Sequence, residues 1–244
     1  MTEKLTGKIY RSIVALPYRY STLFGALRTI FSYEPAEEII NKAMAFITYS
    51  RIGGDYLEFG VYKGNSFAAA YHLAQKHGLR EMKFYAFDSF QGLPEISGLD
   101  IHQSNVLEKS DCACSLKKFQ KIIARKGVDP KKVTAVAGWY KDTLNEKTKK
   151  ELPIKKAAVI YVDCDFYEST VAVLNFITDY LQDGTVLIFD DWFLFRGSPN
   201  YGEQKAFSQW LAAHPYLKTT EFQKSGWASN SFIIHCQWKE QRKR

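Results

Sequence analysis

The stretch that decides the fold is AAVIYV at residues 157–162, followed directly by DCDFYE at residues 163–168. The first six residues are apolar apart from one tyrosine hydroxyl. A run of this length without polar alternation is typical of a strand buried on both faces, as in the middle of a parallel sheet. The acids that follow then lie at its carboxyl end, where open α/β sheets bind their ligands.

A second run has the same form, because TVLIF at residues 185–189 ends in Asp190 and Asp191. If the two strands are parallel neighbours, Asp163, Asp190 and Asp191 converge on one edge of the sheet. Clustered carboxylates repel one another unless protons or a cation neutralise them. A hard divalent cation such as Mg²⁺ prefers oxygen ligands. The sequence therefore predicts that these three acids form a divalent-metal site.

Size and composition suit one large α/β domain. The chain has 244 residues, of which 46% are apolar and 24% charged, as in ordinary globular proteins. The net charge of +7 permits an acidic partner, but no RNA-binding or zinc-finger motif is present, so we expect no nucleic-acid binding. The four cysteines form no C-x-x-C pair, and no secretory signal or membrane span is visible. These features predict a cytoplasmic protein.

Upstream of these acids, two strand ends carry candidate cofactor-binding residues. The run YLEFGVYKGNS at residues 56–66 reads as a strand, a glycine turn and the start of a helix. Gly60 and Gly64 would let a ligand approach the backbone, and Ser66 is placed to cap the helix. The next strand ends at Asp88, where a carboxylate commonly binds a ribose. Trp139, after a third strand at residues 133–137, is a candidate wall for a flat ring.

The remaining elements complete an alternating pattern. Apolar spacing predicts a helix from about Pro35 and further helices at residues 66–77, 114–126, 168–181 and 203–213, while residues 95–113 read as a loop. Two final strands form a closing hairpin. We expect three regions: a helical lid or oligomerisation arm at residues 1–50, a ligand-binding domain at 51–238 and a charged tail at 239–244.

Four motifs together resemble the macrocin O-methyltransferase (TylF-like) family. They are FDSFQGLP at residues 87–94, GWYKDTL at 138–144, DCDFYEST at 163–170 and the pair Asp190-Asp191, in family order over roughly residues 50–235. The resemblance implies a class I methyltransferase fold, which is a doubly wound, Rossmann-like α/β sheet, mostly parallel with a terminal antiparallel strand. It also implies S-adenosyl-L-methionine as cofactor and Mg²⁺, or another divalent cation, held by Asp163, Asp190 and Asp191.

The resemblance further implies roles for individual residues. Asp88 would bind the ribose, Ser89 and Trp139 would flank the adenine, and Glu58 would order the glycine turn or reach the amino group of the cofactor. Asp163 is the candidate general base as well as a metal ligand, with Asp165 or a histidine as alternatives. The implied cofactor-binding set is Glu58, Gly60, Val61, Gly64, Ser66, Asp88, Ser89, Gly138 and Trp139.

The implied function is methyl transfer to a hydroxyl of a small molecule, most simply a sugar of a glycoside, by a homo-oligomeric enzyme. Two alternatives stay open: a catalytically inactive ligand-binding protein with the same fold, and a nucleic-acid methyltransferase. A nicotinamide-dependent oxidoreductase is disfavoured, because Glu58-x-Gly60-x-x-x-Gly64 stands where the Gly-x-Gly-x-x-Gly fingerprint would be.

Overall fold

The seven strands found in the described residues form one sheet. The computed structural model describes residues 35–95, 98–103 and 113–237. In chain order the strands are β1 (Asp55–Phe59), β2 (Phe84–Asp88), β3 (Val133–Ala137), β4 (Ala157–Val162), β5 (Val186–Phe189), β6 (Leu217–Ser225) and β7 (Ser229–Cys236). Their order across the sheet is β3-β2-β1-β4-β5-β7-β6.

Strands β1 to β5 are parallel, and β7 is antiparallel to both β5 and β6. This confirms the predicted doubly wound, mostly parallel sheet with a terminal antiparallel strand. The α-helices of the described residues are α1 (Pro35–Tyr49), α2 (Asn65–Lys76), α3 (Leu116–Arg125), α4 (Tyr140–Thr143), α5 (Glu146–Glu151), α6 (Tyr167–Ile177) and α7 (Gly202–Ala213).

Most predicted elements agree with the structure to within two residues, and two differ by more. The helix expected over residues 168–181 ends at Ile177, because Thr178–Tyr180 tightens into a 3₁₀ turn. Part of the loop expected over residues 95–113 forms a 3₁₀ helix at Gly98–Gln103. In the described part of the chain, no helix has the length and apolar character needed to cross a membrane.

The two central strands are buried along their whole length, as the apolar runs predicted. Every residue of β4 and β5 is buried. One apolar layer, with Ile47, Phe67 and Ile188, covers one face of the sheet. A second layer, with Leu174 and Phe207, covers the other. Helices on both faces leave the strand ends as the accessible part of the sheet.

Helix α1 belongs to the same compact unit as the sheet, which begins at Pro35. Its residues Ile39 and Ile40 are fully buried in the core. Lys42 Nζ donates to Glu38 at 2.8 Å and to Gln223 of β6 at 3.0 Å. The rest of the predicted N-terminal arm, at residues 1–34, and the charged tail at 239–244 lie outside the described residues.

Strand β1 marks the point where the strand order reverses. It pairs with β2 on one side and with β4 on the other, and both pairings are parallel. In sheets of this kind the crevice at the carboxyl ends of such strands is the usual ligand site. The predicted acids and the glycine turn all follow strands at this edge.

Candidate active site

The first two predicted metal ligands lie at the ends of adjacent strands. Val162 of β4 pairs with Phe189 of β5, so Asp163 and Asp190 follow at the same level of the sheet. The Asp163 N–H donates to the Phe59 carbonyl at 2.8 Å, and the Asp190 N–H donates to the Val162 carbonyl at 2.9 Å. The convergence predicted from the sequence is therefore present.

The acids of this edge differ in how they are held. Asp190 Oδ1 accepts from Tyr161 Oη at 2.5 Å and from Ser229 Oγ at 2.9 Å. The Asp165 and Asp191 side chains lie close enough to interact with each other. No hydrogen bond to the Asp163 carboxylate occurs among residues 35–95, 98–103 and 113–237. Asp163 is thus the acid of this group with most freedom to meet a ligand.

The carboxylates of this acid cluster repel one another. Burial, followed by repulsion from Asp190, Asp191 and Asp165, raises the pKa of Asp163 well above its ordinary value. Burial also raises the pKa of Asp191, with repulsion from Asp165 next in size. The pKa of Asp165 rises to about 6, again mainly because of burial. Such a cluster favours a bound cation or proton.

Glu203, in the first turn of α7, joins this cluster, and sequence reasoning missed it. Its side chain is 1% exposed, and Oε2 accepts from the Asp191 N–H at 3.1 Å. Burial, then repulsion from Asp191, raises its pKa well above the ordinary value. An acid in a first helical turn usually reflects the helix dipole, so its position alone carried no distinctive signal.

The oxygen donors suit a hard divalent cation, although they do not form a ready coordination set. Within the described residues, no group of three His, Cys, Asp or Glu side chains is arranged to hold a metal ion. Two buried carboxylate oxygens, Asp191 Oδ2 and Glu203 Oε1, have no hydrogen-bond partner among the residues that the structure describes. Unpartnered buried acceptors are costly, and a cation would satisfy them. The chemistry of these residues fits Mg²⁺.

The glycine turn after β1 is organised by Glu58. This fully buried carboxylate accepts from Tyr56 Oη at 2.5 Å and from Ser66 Oγ at 2.7 Å. Ser66 was expected to cap α2, and this expectation is wrong: the cap position is Gly64, and the Ser66 hydroxyl is turned to Glu58 instead. Of the two roles considered for Glu58, the ordering of the turn is the one seen here.

At both glycines of this turn, other parts of the protein occupy the space that a side chain would need. A side chain at Gly60 would meet the Asp163 carbonyl oxygen at 1.7 Å. A side chain at Gly64 would meet Ile123 at 2.7 Å and Phe119 at 2.8 Å, both on α3. The close approach predicted for a ligand is therefore, at Gly64, the approach of a packed helix.

Asp88 joins the turns that follow β1 and β2. Its Oδ2 accepts from the N–H groups of Val61 at 2.8 Å and Tyr62 at 3.1 Å, and Oδ1 accepts from Phe90 N–H at 2.7 Å. Tyr62 and Phe90 both adopt left-handed φ angles, of 42° and 55°. Backbone strain of this kind collects at functional sites and needs a strong local restraint, which Asp88 supplies.

A cavity of about 710 Å³ opens along this edge. Among the predicted cofactor and metal residues, its lining contains Gly60, Asp88, Ser89, Trp139 and Asp163, and it also contains Asp165. The predicted residues absent from the lining are Glu58, Val61, Gly64, Ser66, Gly138, Asp190 and Asp191. The structure thus brings a ribose candidate, a ring-stacking candidate and a candidate base into one space.

A second residue missed by sequence reasoning is Asp100, which is 1% exposed. Its Oδ2 accepts from the Tyr167 N–H at 2.6 Å and its Oδ1 from the Gly202 N–H at 3.0 Å. Those donors are the first residues of α6 and α7. One carboxylate therefore caps both helices that border the acid cluster.

The histidines give no rival base among the described side chains. His235 lies six residues along β7 from Ser229, at the opposite edge of the sheet, where it contacts Thr220 and Asp183. His72, His77 and His214 bond to Lys126, Asn41 and Trp210 respectively. The side chain of His102 lies outside the described residues.

The strand order and the cavity at the carboxyl ends of β1, β2 and β4 define the class I methyltransferase fold. The O-methyltransferase NovP superimposes with a TM-score of 0.70 at 22% identity, covering 82% of this chain and 79% of NovP. The calicheamicin methyltransferase CalS11 gives a TM-score of 0.69 at 18% identity, covering 95% and 91%. Residues 37–208 match the macrocin-O-methyltransferase (TylF) family, and the chain belongs to that family.

Two sequence relatives with curated names are O-methyltransferases, and the name of one includes a rhamnosyl group. Mycinamicin III 3''-O-methyltransferase of Micromonospora griseorubida is 31% identical over 149 residues, which is 58% of this chain and 56% of the relative. The 8-demethyl-8-(2,3-dimethoxy-alpha-L-rhamnosyl)-tetracenomycin-C 4'-O-methyltransferase of Streptomyces olivaceus is 32% identical over 146 residues, covering 58% and 54%. The matched region spans just over half the length of these relatives.

Proposed function

We propose that this protein transfers a methyl group from S-adenosyl-L-methionine to a hydroxyl of a small molecule, most simply a sugar of a glycoside. One observation carries the proposal: the same cavity is lined by Asp88 and Trp139 and by Asp163 and Asp165. A nucleoside cofactor and a proton-accepting group would thus share one space, as methyl transfer requires.

The cofactor would lie along the glycine turn. Gly60 and Asp88 both border the cavity, and the Asp88 carboxylate can accept a ribose hydroxyl on the Oδ1 lone pair that its three backbone bonds leave open. Ser89 and Trp139 would flank the adenine. Glu58, Val61, Gly64, Ser66 and Gly138 would act by shaping the turns, since none of them lines the cavity.

A divalent cation, Mg²⁺ first, would be held by Asp163, Asp190 and Asp191, and when bound it would lower the pKa of the acceptor hydroxyl. The cluster's unpartnered oxygens and mutual repulsion support this. In the reaction, the acceptor oxygen bonds to the methyl carbon as the carbon–sulfur bond breaks. The hydroxyl proton passes to a carboxylate, for which Asp163 and Asp165 are the candidates lining the cavity.

The named relatives favour a sugar hydroxyl as acceptor, since both are called O-methyltransferases and the name of one includes a rhamnosyl group. An acceptor with two adjacent hydroxyls would suit a cation held by carboxylates, because both oxygens could approach it.

We also propose that the protein is a homo-oligomer and is located in the cytoplasm. Light scattering of the full chain and of a variant lacking residues 1–33 would test the oligomeric state.

The deciding experiment is calorimetric titration of S-adenosyl-L-methionine, with and without Mg²⁺, into the wild type and Asp163→Ala. We expect both proteins to bind the cofactor and the wild type alone to bind Mg²⁺. An acceptor screen among glycosides with adjacent hydroxyls would follow. Absence of cofactor binding by the wild type would overturn the proposal and favour the inactive binding protein. Salt-sensitive binding of RNA or DNA would favour the nucleic-acid alternative.

A further inference from the structure

Asp190 is held from two sides by buried hydroxyls. Tyr161 and Ser229, which are 1% and 4% exposed, both donate to Oδ1. Oδ2 accepts no hydrogen bond from the described residues. Two donors on one oxygen fix the plane of the carboxylate and leave the other oxygen available for a ligand.

The position of Tyr161 in the sheet explains how it reaches Asp190. Tyr161 pairs with Ile188 on β5, and Asp190 follows two residues later on that strand. Side chains two residues apart on a strand share a face, so the tyrosine hydroxyl reaches the carboxyl edge from within the apolar layer. β1 repeats the arrangement, because Tyr56 donates to Glu58 two residues further on.

The hydroxyl of Tyr161 is not needed for packing. The ring lies in an apolar layer among side chains such as Tyr56 and Val159, where a phenylalanine would fill the same volume. The hydroxyl's hydrogen bond goes to Asp190. A buried hydroxyl that meets one carboxylate at the ligand edge is best explained by what it does to that carboxylate.

We infer that Tyr161 is a positioning residue which, with Ser229, holds Asp190 ready to bind a divalent cation through Oδ2. The inference rests on the proposed function and adds to it that Asp190 and Asp163 bind the cation in different ways. Asp190 is fixed before the cation arrives, while Asp163, which has no hydrogen bond from the described residues, can adjust to cation and acceptor. Partners that orient metal-binding carboxylates typically change metal affinity by about 10–100-fold when removed.

The test is titration of Mn²⁺, followed by electron paramagnetic resonance, into the wild type, Tyr161→Phe and Ser229→Ala. We expect Tyr161→Phe to raise the Kd for Mn²⁺ by about 10-fold or more, and Ser229→Ala to raise it by less. Calorimetry on the same samples should give an unchanged affinity for S-adenosyl-L-methionine. The matched control is Tyr180→Phe, because the Tyr180 hydroxyl is buried and has no hydrogen-bond partner in the described part of the chain.

The outcomes separate this inference from the proposed function. Equal Mn²⁺ affinity in wild type and Tyr161→Phe would overturn the inference alone. A loss of cofactor affinity that parallels the loss of Mn²⁺ would also overturn it, since the residue would then be structural. No Mn²⁺ binding by the wild type would overturn both the inference and the metal part of the proposal, whereas cofactor binding would leave methyl transfer standing. If Tyr161→Phe does not fold, Ser229→Ala decides alone.

Discussion

At Asp88 a single carboxylate stabilises two strained turns and also borders the cavity. Its three backbone donors belong to Val61, Tyr62 and Phe90. Asparagine would keep the size of the side chain but would have an amide NH₂ where an acceptor is needed. A substitution here therefore affects both the binding site and the turns around it.

We expect Asp88→Asn to weaken binding of S-adenosyl-L-methionine by at least about 10-fold and to lower the free energy of unfolding by about 2–4 kcal/mol, because charged hydrogen bonds contribute about 1.5–3 kcal/mol each. Calorimetry and urea unfolding measure the two effects. Asp129→Asn is the control, since Asp129 makes a comparable bond to the Lys131 N–H away from the cavity. Full cofactor affinity in Asp88→Asn would contradict the ribose assignment.

Gly60 cannot accommodate a side chain, because Asp163, at the end of β4, lies directly against it. A methyl group there would lie 1.7 Å from the Asp163 carbonyl oxygen, and φ is +85°. We expect Gly60→Ala to lower the free energy of unfolding by about 3 kcal/mol or more, from overpacking and strain together. Thermal unfolding is the measurement. Gly53→Ala should be close to neutral, because nothing lies within 4 Å of the added carbon; equal melting temperatures for both variants would contradict this account.

Among the elements, the 3₁₀ helix at Gly98–Gln103 is joined to the acid cluster through the helices that Asp100 caps. Asp100→Ala would leave the N–H groups of Tyr167 and Gly202 without their acceptor. We expect a loss of about 2–4 kcal/mol in the free energy of unfolding, since each buried unpaired donor costs about 1–3 kcal/mol. Hydrogen exchange should quicken at those two amides.

Asp129→Ala is the matched control for that experiment, because Asp129 caps a 3₁₀ turn through a single, more exposed bond. It should cost about 1 kcal/mol or less. Unchanged exchange at Tyr167 and Gly202 in Asp100→Ala would contradict the capping role, whatever the change in overall stability.

The elements that could be predicted from the sequence are those whose signal is local. β4 and β5 were evident because a wholly apolar run needs burial on both faces, and β3 was found with its observed bounds. The end of α6 could not be predicted, because the change from α-helix to 3₁₀ turn at Thr178 depends on packing. The 3₁₀ helix around Asp100 was read as loop, since its stabilising partners lie 67 and 102 residues further along the chain.

For the whole molecule, Glu58 makes stability depend on pH. Burial raises its pKa from 4.5 to about 8. The folded protein therefore keeps a proton that the unfolded chain releases above about pH 4.5, so stability falls as pH rises towards 8. At about 1.4 kcal/mol per pH unit, the loss is at most about 5 kcal/mol. We expect Glu58→Gln, unfolded by urea in EDTA, to show a flatter pH profile than the wild type; parallel profiles would contradict this.

The part of the candidate site that could be predicted from the sequence is the part that depends only on the order of the strands. Asp163, Asp190 and Asp191 follow apolar runs, so their convergence required only that the runs be neighbours. Glu203 and Asp100 could not be predicted, because a buried acid on a helix or in a loop looks like a surface acid until its neighbours are known. The packing at Gly64 could not be predicted for the same reason, since its neighbours Phe119 and Ile123 belong to another helix.

The hydrogen bond from Ser229 to Asp190 also bears on how the protein folds. It closes a chain of contacts that runs from Phe59 through Asp163 and Val162 to Asp190, joining four strands. Contacts between residues so far apart in sequence form slowly, because the connecting loops must first be ordered. Because Ser229 lies on β7, the bond that fixes Asp190 can form only once β7 has joined the sheet, so we expect the orientation of Asp190 to be set late in folding, after the pairing of β4 with β5 has brought Asp163 and Asp190 together.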